Sequence, residues 1–160
     1  MTVPAHLAAF WRAFAEATGG ANEARFTEAF AFGDSEAMAD ELAALVLQGT
    51  KRATASALWA YEAEGEALPR AGDLSIVTDG SGTPRCVIET LSVEVVPFRD
   101  VSAAFAATEG EGDGSLAYWR QVHRAFFTRE CVAAGREFTE SMEVVCERFV
   151  VRYPSPTGGV

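Results

Sequence analysis

Residues 72–97 read GDLSIVTDGSGTPRCVIETLSVEVVP, and here the apolar pattern turns to a period of two. That period belongs to strands, whose successive side chains point to opposite faces. Asp79-Gly80-Ser81-Gly82 is a turn signal, so 73–79 and 84–97 are expected to form a hairpin, the second strand bending near Thr90-Leu91. Working outward, residues 4–18 carry Leu7, Phe10, Trp11 and Phe14 at helical spacing, and Gly19-Gly20 ends them. Residues 21–33 read as an irregular connection. A second helix starts at Asp34-Ser35 and stops at Gly49, and a short one is expected from Ala57 to Glu64. Beyond the hairpin, Asp100 is placed to cap a helix over 101–108, and Ser115 one that runs to about Ala134. Residues 143–153 close the chain as a strand. Helices, hairpin, helix and strand in that order are not a βαβαβ series. The fold expected is α+β, built on a small barrel-like mixed sheet with surrounding helices.

The chain has 160 residues, of which 49% are hydrophobic, and a formal net charge of −10. Such apolar content can bury a core. No run of 18 apolar residues is present, so no membrane partner is expected. The N-terminal stretch lacks the pattern of a signal peptide, and a cytoplasmic location is expected. An acidic chain repels polyphosphate, which argues against long duplex DNA as a partner and leaves room for a small or locally held nucleic-acid ligand. Cys86, Cys131 and Cys146 are widely spaced without a CxxC and read as reduced, buried thiols. His6 and His123 form no zinc-ligand pattern, so no metal and no cofactor is expected; His123 reads as an exposed or satisfied histidine.

The chemically richest stretch is Gly49-Thr50-Lys51-Arg52-Ala53-Thr54-Ala55-Ser56, basic and hydroxyl-rich within an acidic chain. In a helical turn Lys51 and Thr54 would share one face. An ammonium beside hydroxyls suits a phosphate, a carboxylate or a developing oxyanion; the plainer alternative is a solvated helix-to-loop junction. Glu109, Glu111 and Asp113 alternate with glycine, which fits a cation loop, an acceptor for ribose hydroxyls or a solvated loop. Trp119 falls on an apolar stripe. Tyr118, Trp59 and Tyr61 are candidates for stacking on a base.

Gly49-x-Lys51-x-Ala53-Thr54-x-Ser56 is similar to the Gly-x-Lys-x-x-Thr-x-Arg/Ser signature of the ASCH domain family. The ordered segments FGDS, MADELAALVL, GDLSIVTDG, CVIET, EGEGDGSLAYWRQVHRAFF and VVCERFVV resemble its YhfF-like branch over about residues 26–152. The resemblance implies a PUA-like fold over 26–153, with a helix in 1–25 packed on it and a flexible tail at 154–160. It implies binding of a nucleoside, nucleotide or RNA in a cleft lined by the motif; with the residue reading above, the expected ligand-binding set is Lys51, Arg52, Thr54, Ser56, Trp59, Glu109, Asp113 and Tyr118. It also leaves open a small hydrolase, an N4-acylcytidine amidohydrolase or ribonuclease, using Lys51, Thr54 and a strand glutamate matched to Glu89. Ser56 stands where the amidohydrolase-like members often carry Arg. A protein-interaction domain with a structural motif is the third alternative, and the oligomeric state stays open.

Overall fold

The computed structural model describes residues 2–20 and 23–154. After a 3-10 turn at Ala5–Leu7, α1 spans Ala8–Ala17. β1 (Phe26–Ala31) and α2 (Glu36–Leu47) follow, then β2 (Ala53–Ala57) and α3 (Leu58–Glu64). The hairpin is β3 (Leu74–Thr78) and β4 (Pro84–Pro97); α4 (Ala103–Glu109), α5 (Leu116–Ala133) and β5 (Glu143–Tyr153) complete the chain. The strands make one curled sheet in the order β1-β3-β4-β5-β2. β1 runs parallel to β3, and the other pairings are antiparallel. The α+β expectation holds: the molecule is a five-stranded half-barrel with helices around it.

Helices cover both faces of the sheet. Trp11 and Phe14 of α1 pack with Phe26, Leu74, Ile76 and Val87. Leu42 and Val46 of α2 pack with Val77, Ile88 and Phe149. Neighbouring β3 residues Ile76 and Val77 therefore enter different cores, so the strand carries apolar side chains on both faces. A third core joins α4 and α5 to the sheet through Phe98, Phe105, Trp119, Phe127 and Val144. The bend expected near Thr90-Leu91 is a bulge: the β4–β5 register shifts between Thr90 and Ser92, and Leu91 is exposed.

Three local expectations are corrected. Residues 26–31 form an edge strand, not an irregular connection; a register shift between Phe26 and Glu28 breaks the alternation that would have announced it. Residues 53–57 are extended, so Lys51 and Thr54 do not sit on one helical turn. Ala53 and Ala57 are poor strand formers by propensity, but pairing with β5 and packing beneath α4 and α5 decide the matter. Ser102, not Asp100, caps α4, its Oγ accepting from the Phe105 N–H. The tail expected at 154–160 lies outside the described residues from 155 onward.

Gly110 ends α4 at φ +69°, and a Cβ there would overlap the Thr50 carbonyl oxygen. Gly135, at φ +72°, faces open space. Gly110→Ala should therefore cost about 2 kcal/mol or more, and Gly135→Ala about 1 kcal/mol, from backbone conformation alone. Urea unfolding of the two variants checks the difference.

Candidate functional site

The last turn of α2 delivers Lys51 to the interior. Gly49, at φ +80°, lets the chain reverse, and the Gly49 and Thr50 N–H groups donate back to Val46 and Leu45 carbonyls. The next residue, Arg52, is tied by its backbone: its N–H donates to Thr108 O, and its carbonyl accepts from Phe149 N–H. Between these anchors the Lys51 side chain turns inward and is only 1% exposed. Its ammonium donates to Ala53 O at 2.8 Å, Glu109 Oε2 at 3.2 Å and Glu111 Oε2 at 2.8 Å, which uses all three donors. The Phe32 ring centroid lies 5.0 Å from it.

Glu109, at the end of α4, is 2% exposed. Its Oε1 accepts from Trp119 Nε1–H at 2.7 Å, and its Oε2 also faces His123 Nε2 at 3.3 Å. Burial opposes its charge, but Lys51 and then His123 outweigh burial and hold its carboxyl well below the ordinary range. His123 stacks on Trp119 at 4.2 Å between ring centroids, and its Nδ1 lies 2.9 Å from Trp119 O. A carbonyl oxygen only accepts, so Nδ1 carries a proton. Nε2 faces an ionised carboxylate, which favours a proton there too, so the surroundings favour the imidazolium form of His123. Its burial works against that charge; the hydrogen bond and charge of Glu109, with Glu111, raise its pKa above the ordinary value regardless. For Glu111, burial and the neighbouring Glu109 prevail over Lys51, and its pKa is raised.

These groups open on a cavity of about 140 Å³. Lys51, Thr54, Glu109, Glu111, Tyr118 and His123 all line it, with Phe32 and Phe126 among its apolar walls. Of the residues singled out from sequence, Lys51, Thr54, Glu109 and Tyr118 thus come together. Glu89 does not join them: on β4 it accepts from Arg152 Nε at 2.8 Å and pairs with Arg25 at 3.1 Å. The carboxylates that meet Lys51 are Glu109 and Glu111. The Arg52 side chain is exposed, and Asp113 accepts from the N–H of Ser115, the residue whose own Oγ caps α5. Trp59 packs against the core of α4 and α5 under the Arg136 guanidinium, and Ser56 faces the adjoining chambers. His123 is a site residue the sequence reading passed over. Its signal was the i, i+4, i+8 series Trp119, His123, Phe127, which places the histidine on the buried stripe.

Glu109, Glu111 and His123 bring potential ligand atoms within 4.8 Å of one another, but both carboxylates already point at the Lys51 ammonium, which supplies the positive charge a metal would bring. Burial pushes the Cys86 and Cys146 thiols up to about 12, which fits core packing and no nucleophilic role.

A curled half-barrel with a cleft between its helices and one edge is the PUA-like architecture. The ASCH domain model matches residues 28–153, and the chain belongs to the ASCH domain family. An ASCH domain from Lactobacillus crispatus JV V101 superposes with a TM-score of 0.83 at 41% identity, covering 91% of this chain and 92% of that one. Protein EF3133 from Enterococcus faecalis V583 gives 0.80 at 36% identity, with 91% of each chain covered. Hypothetical protein PH0355 shares the fold alone, at a TM-score of 0.51 and 16% identity, over 78% of this chain and 97% of that one. No curated protein sequence matches the chain. Among the described residues no helix is long and apolar enough to cross a membrane.

Two outcomes are expected of this cluster. Lys51→Met leaves two carboxylates without their cation and should cost about 3–5 kcal/mol, read by urea unfolding at pH 7. A raised histidine pKa adds stability that is complete below about 6.5 and is lost as pH rises through the raised value. Wild-type stability should therefore fall as pH rises above the ordinary histidine range, and His123→Gln should flatten that slope, read by urea unfolding across a pH series.

Proposed function

We propose that the Lys51 cavity binds the base of a nucleoside, free or at the end of an RNA. The observation that carries this reading is the buried Lys51–Glu109–Glu111 cluster in the wall of a ring-sized cavity. A cavity of about 150 Å³ accepts a single benzene-sized ring, which fits the volume of about 140 Å³ found here. The pairing edge of cytosine carries an exocyclic amine and a carbonyl on either side of N3, and that of uracil an N–H between two carbonyls. Glu111, 16% exposed against 2% for Glu109, is the carboxylate placed to accept from that amine. Lys51, released from one carboxylate, donates to the carbonyl. The half-exposed Tyr118 ring offers a stacking face at the mouth. Membership of the ASCH family supports a nucleic-acid component as the ligand.

A second reading, hydrolysis of an acylated amine on such a base, is favoured by one observation. Thr54, a hydroxyl-bearing residue, lines the same cavity as Lys51 and Glu111. Glu111, with its raised pKa, suits proton transfer, and Lys51 suits a developing oxyanion.

Lys51 is a poor probe because its loss unsettles the fold. Thr54→Val keeps the shape of the strand and removes only the hydroxyl. Cytidine, uridine and N4-acetylcytidine should raise the melting temperature of the wild type, and Thr54→Val should lower that affinity roughly tenfold, the worth of one good hydrogen bond. Release of acetate from N4-acetylcytidine separates enzyme from binder. No shift with any nucleoside or short RNA, from a folded protein, overturns the reading.

A further inference from the structure

Lys51, His123 and Arg129 are the basic residues that line the Lys51 cavity. The first two are buried and face Glu109. Arg129 of α5 is different: 58% of its side chain is exposed, and its Nη2 donates to Asp34 Oδ2 at 3.0 Å. Asp34 is its only ion-pair partner among the described residues, which leaves most of its N–H donors for other acceptors. Asp34 does not itself line the cavity, although its neighbour Gly33 does. An exposed pair of this kind contributes little to stability, so its exchange costs little.

The position of Arg129 on α5 adds a second observation. Tyr118, Val122, Phe126 and Arg129 all line the cavity, and their spacing sets them in one stripe along the helix. At 1.5 Å per residue the stripe runs about 16 Å from Tyr118 to Arg129. The loop of Glu111 and Gly112 lies at the Tyr118 end, and the β1–α2 loop with Asp34 at the Arg129 end. A ring stacked on Tyr118 near Lys51 therefore leaves Val122 and Phe126 to flank its sugar, with the guanidinium beyond.

We propose that the ligand of this cavity is a nucleoside monophosphate, and that Arg129 binds its phosphate in exchange for Asp34. This assignment rests on the base-binding reading above and names the part of the ligand beyond the base. The planar fork of arginine matches two phosphate oxygens at once, a stronger contact than the single nitrogen now shared with Asp34. Lys51 and His123 cannot serve a phosphate, because drawing either away from Glu109 would leave a buried carboxylate less matched. The charge of the surroundings limits the ligand further. Glu41 lines the cavity and is exposed, and Asp34 stays close by once released. In a chain of net charge −10, one arginine matches one phosphate, and additional phosphates meet carboxylates. That selects a monophosphate over a triphosphate or a longer polynucleotide.

The test is calorimetric titration of the full chain with cytidine and uridine, each beside its 5′-monophosphate and 5′-triphosphate. The monophosphate should bind roughly tenfold more tightly than its nucleoside, the worth of one hydrogen bond to a charged group. The triphosphate should bind no more tightly than the monophosphate. Arg129→Gln should remove the preference for the monophosphate. Arg120→Gln takes the same charge from the opposite side of α5 and should keep that preference. Asp34→Asn releases the guanidinium and should increase it. A monophosphate that binds no better than its nucleoside overturns the proposal while the base reading stands. A preference that survives Arg129→Gln, one lost equally in Arg120→Gln, or tighter binding of the triphosphate overturns it too. Absence of binding by every nucleoside and nucleotide removes the base reading and the phosphate site together.

Discussion

A lysine side chain with 1% of its surface exposed is the constraint around which this molecule is arranged. An ammonium out of water is tolerated only when its donors are satisfied and its charge is matched. Matching it takes a carboxylate from the end of α4, a second from the loop beyond, and a carbonyl from the start of β2. Glu109 in turn needs donors for its own oxygens, which α5 supplies through Trp119 and His123. One charge thus ties together α2, β2, α4 and α5, elements far apart in sequence. The small residues follow from the same need. Gly49 turns the lysine inward, and Gly110 lets the chain after Glu109 pass against the Thr50 carbonyl.

The sheet sets where such a cluster can face a ligand. With β1 and β2 at opposite edges, β2 pairs only with β5 on one side. Thr54, on this edge strand, lines the Lys51 cavity and both chambers that adjoin it. The hollows share a wall yet differ in charge. The cavity holds a balanced set, Lys51 and His123 against Glu109 and Glu111, and the adjoining chambers are lined by carboxylates without a lysine, arginine or histidine. An acidic chain can therefore keep a cavity whose charges are balanced locally without offering a general surface to polyphosphate.

Much of the architecture was legible because it rests on periodicity. The β3–β4 hairpin, the caps at Ser35 and Ser115 and the closing strand each follow from a short local rule. The edge strands were not legible, because alanine, serine and threonine at 53–57 carry no strand signal of their own and a bulge hides the period of 26–31. The motif found Lys51 and Thr54, but the lysine's partner was beyond reach by local rules. Glu89 and Glu109 are both glutamates downstream of the motif; only the packing of α4 against the 49–52 turn decides which one meets the ammonium. The acidic loop illustrates the same point. A solvated loop and a charge-matching arm look alike in sequence and differ only in whether a buried cation lies within reach.

The cluster also carries an internal asymmetry that bears on ligand entry. Glu109 is locked by three donors, from Lys51, Trp119 and His123, and by its burial. Glu111 holds the ammonium at 2.8 Å but is more exposed, and its ionised form is disfavoured where Glu109's is favoured. An incoming polar ring must exchange one existing hydrogen bond of Lys51 for its own. Breaking the Glu109 contact would strand a buried charge, and breaking the Ala53 contact would leave a buried carbonyl at the head of β2 without its donor. The Glu111 contact is the one whose loss water or ligand can make good. Glu109 is thus the fixed anchor of the cleft and Glu111 its exchangeable arm. Two carboxylates, two residues apart in the chain, thus differ in how firmly they are held: Glu109 by burial and three donors, Glu111 by the ammonium.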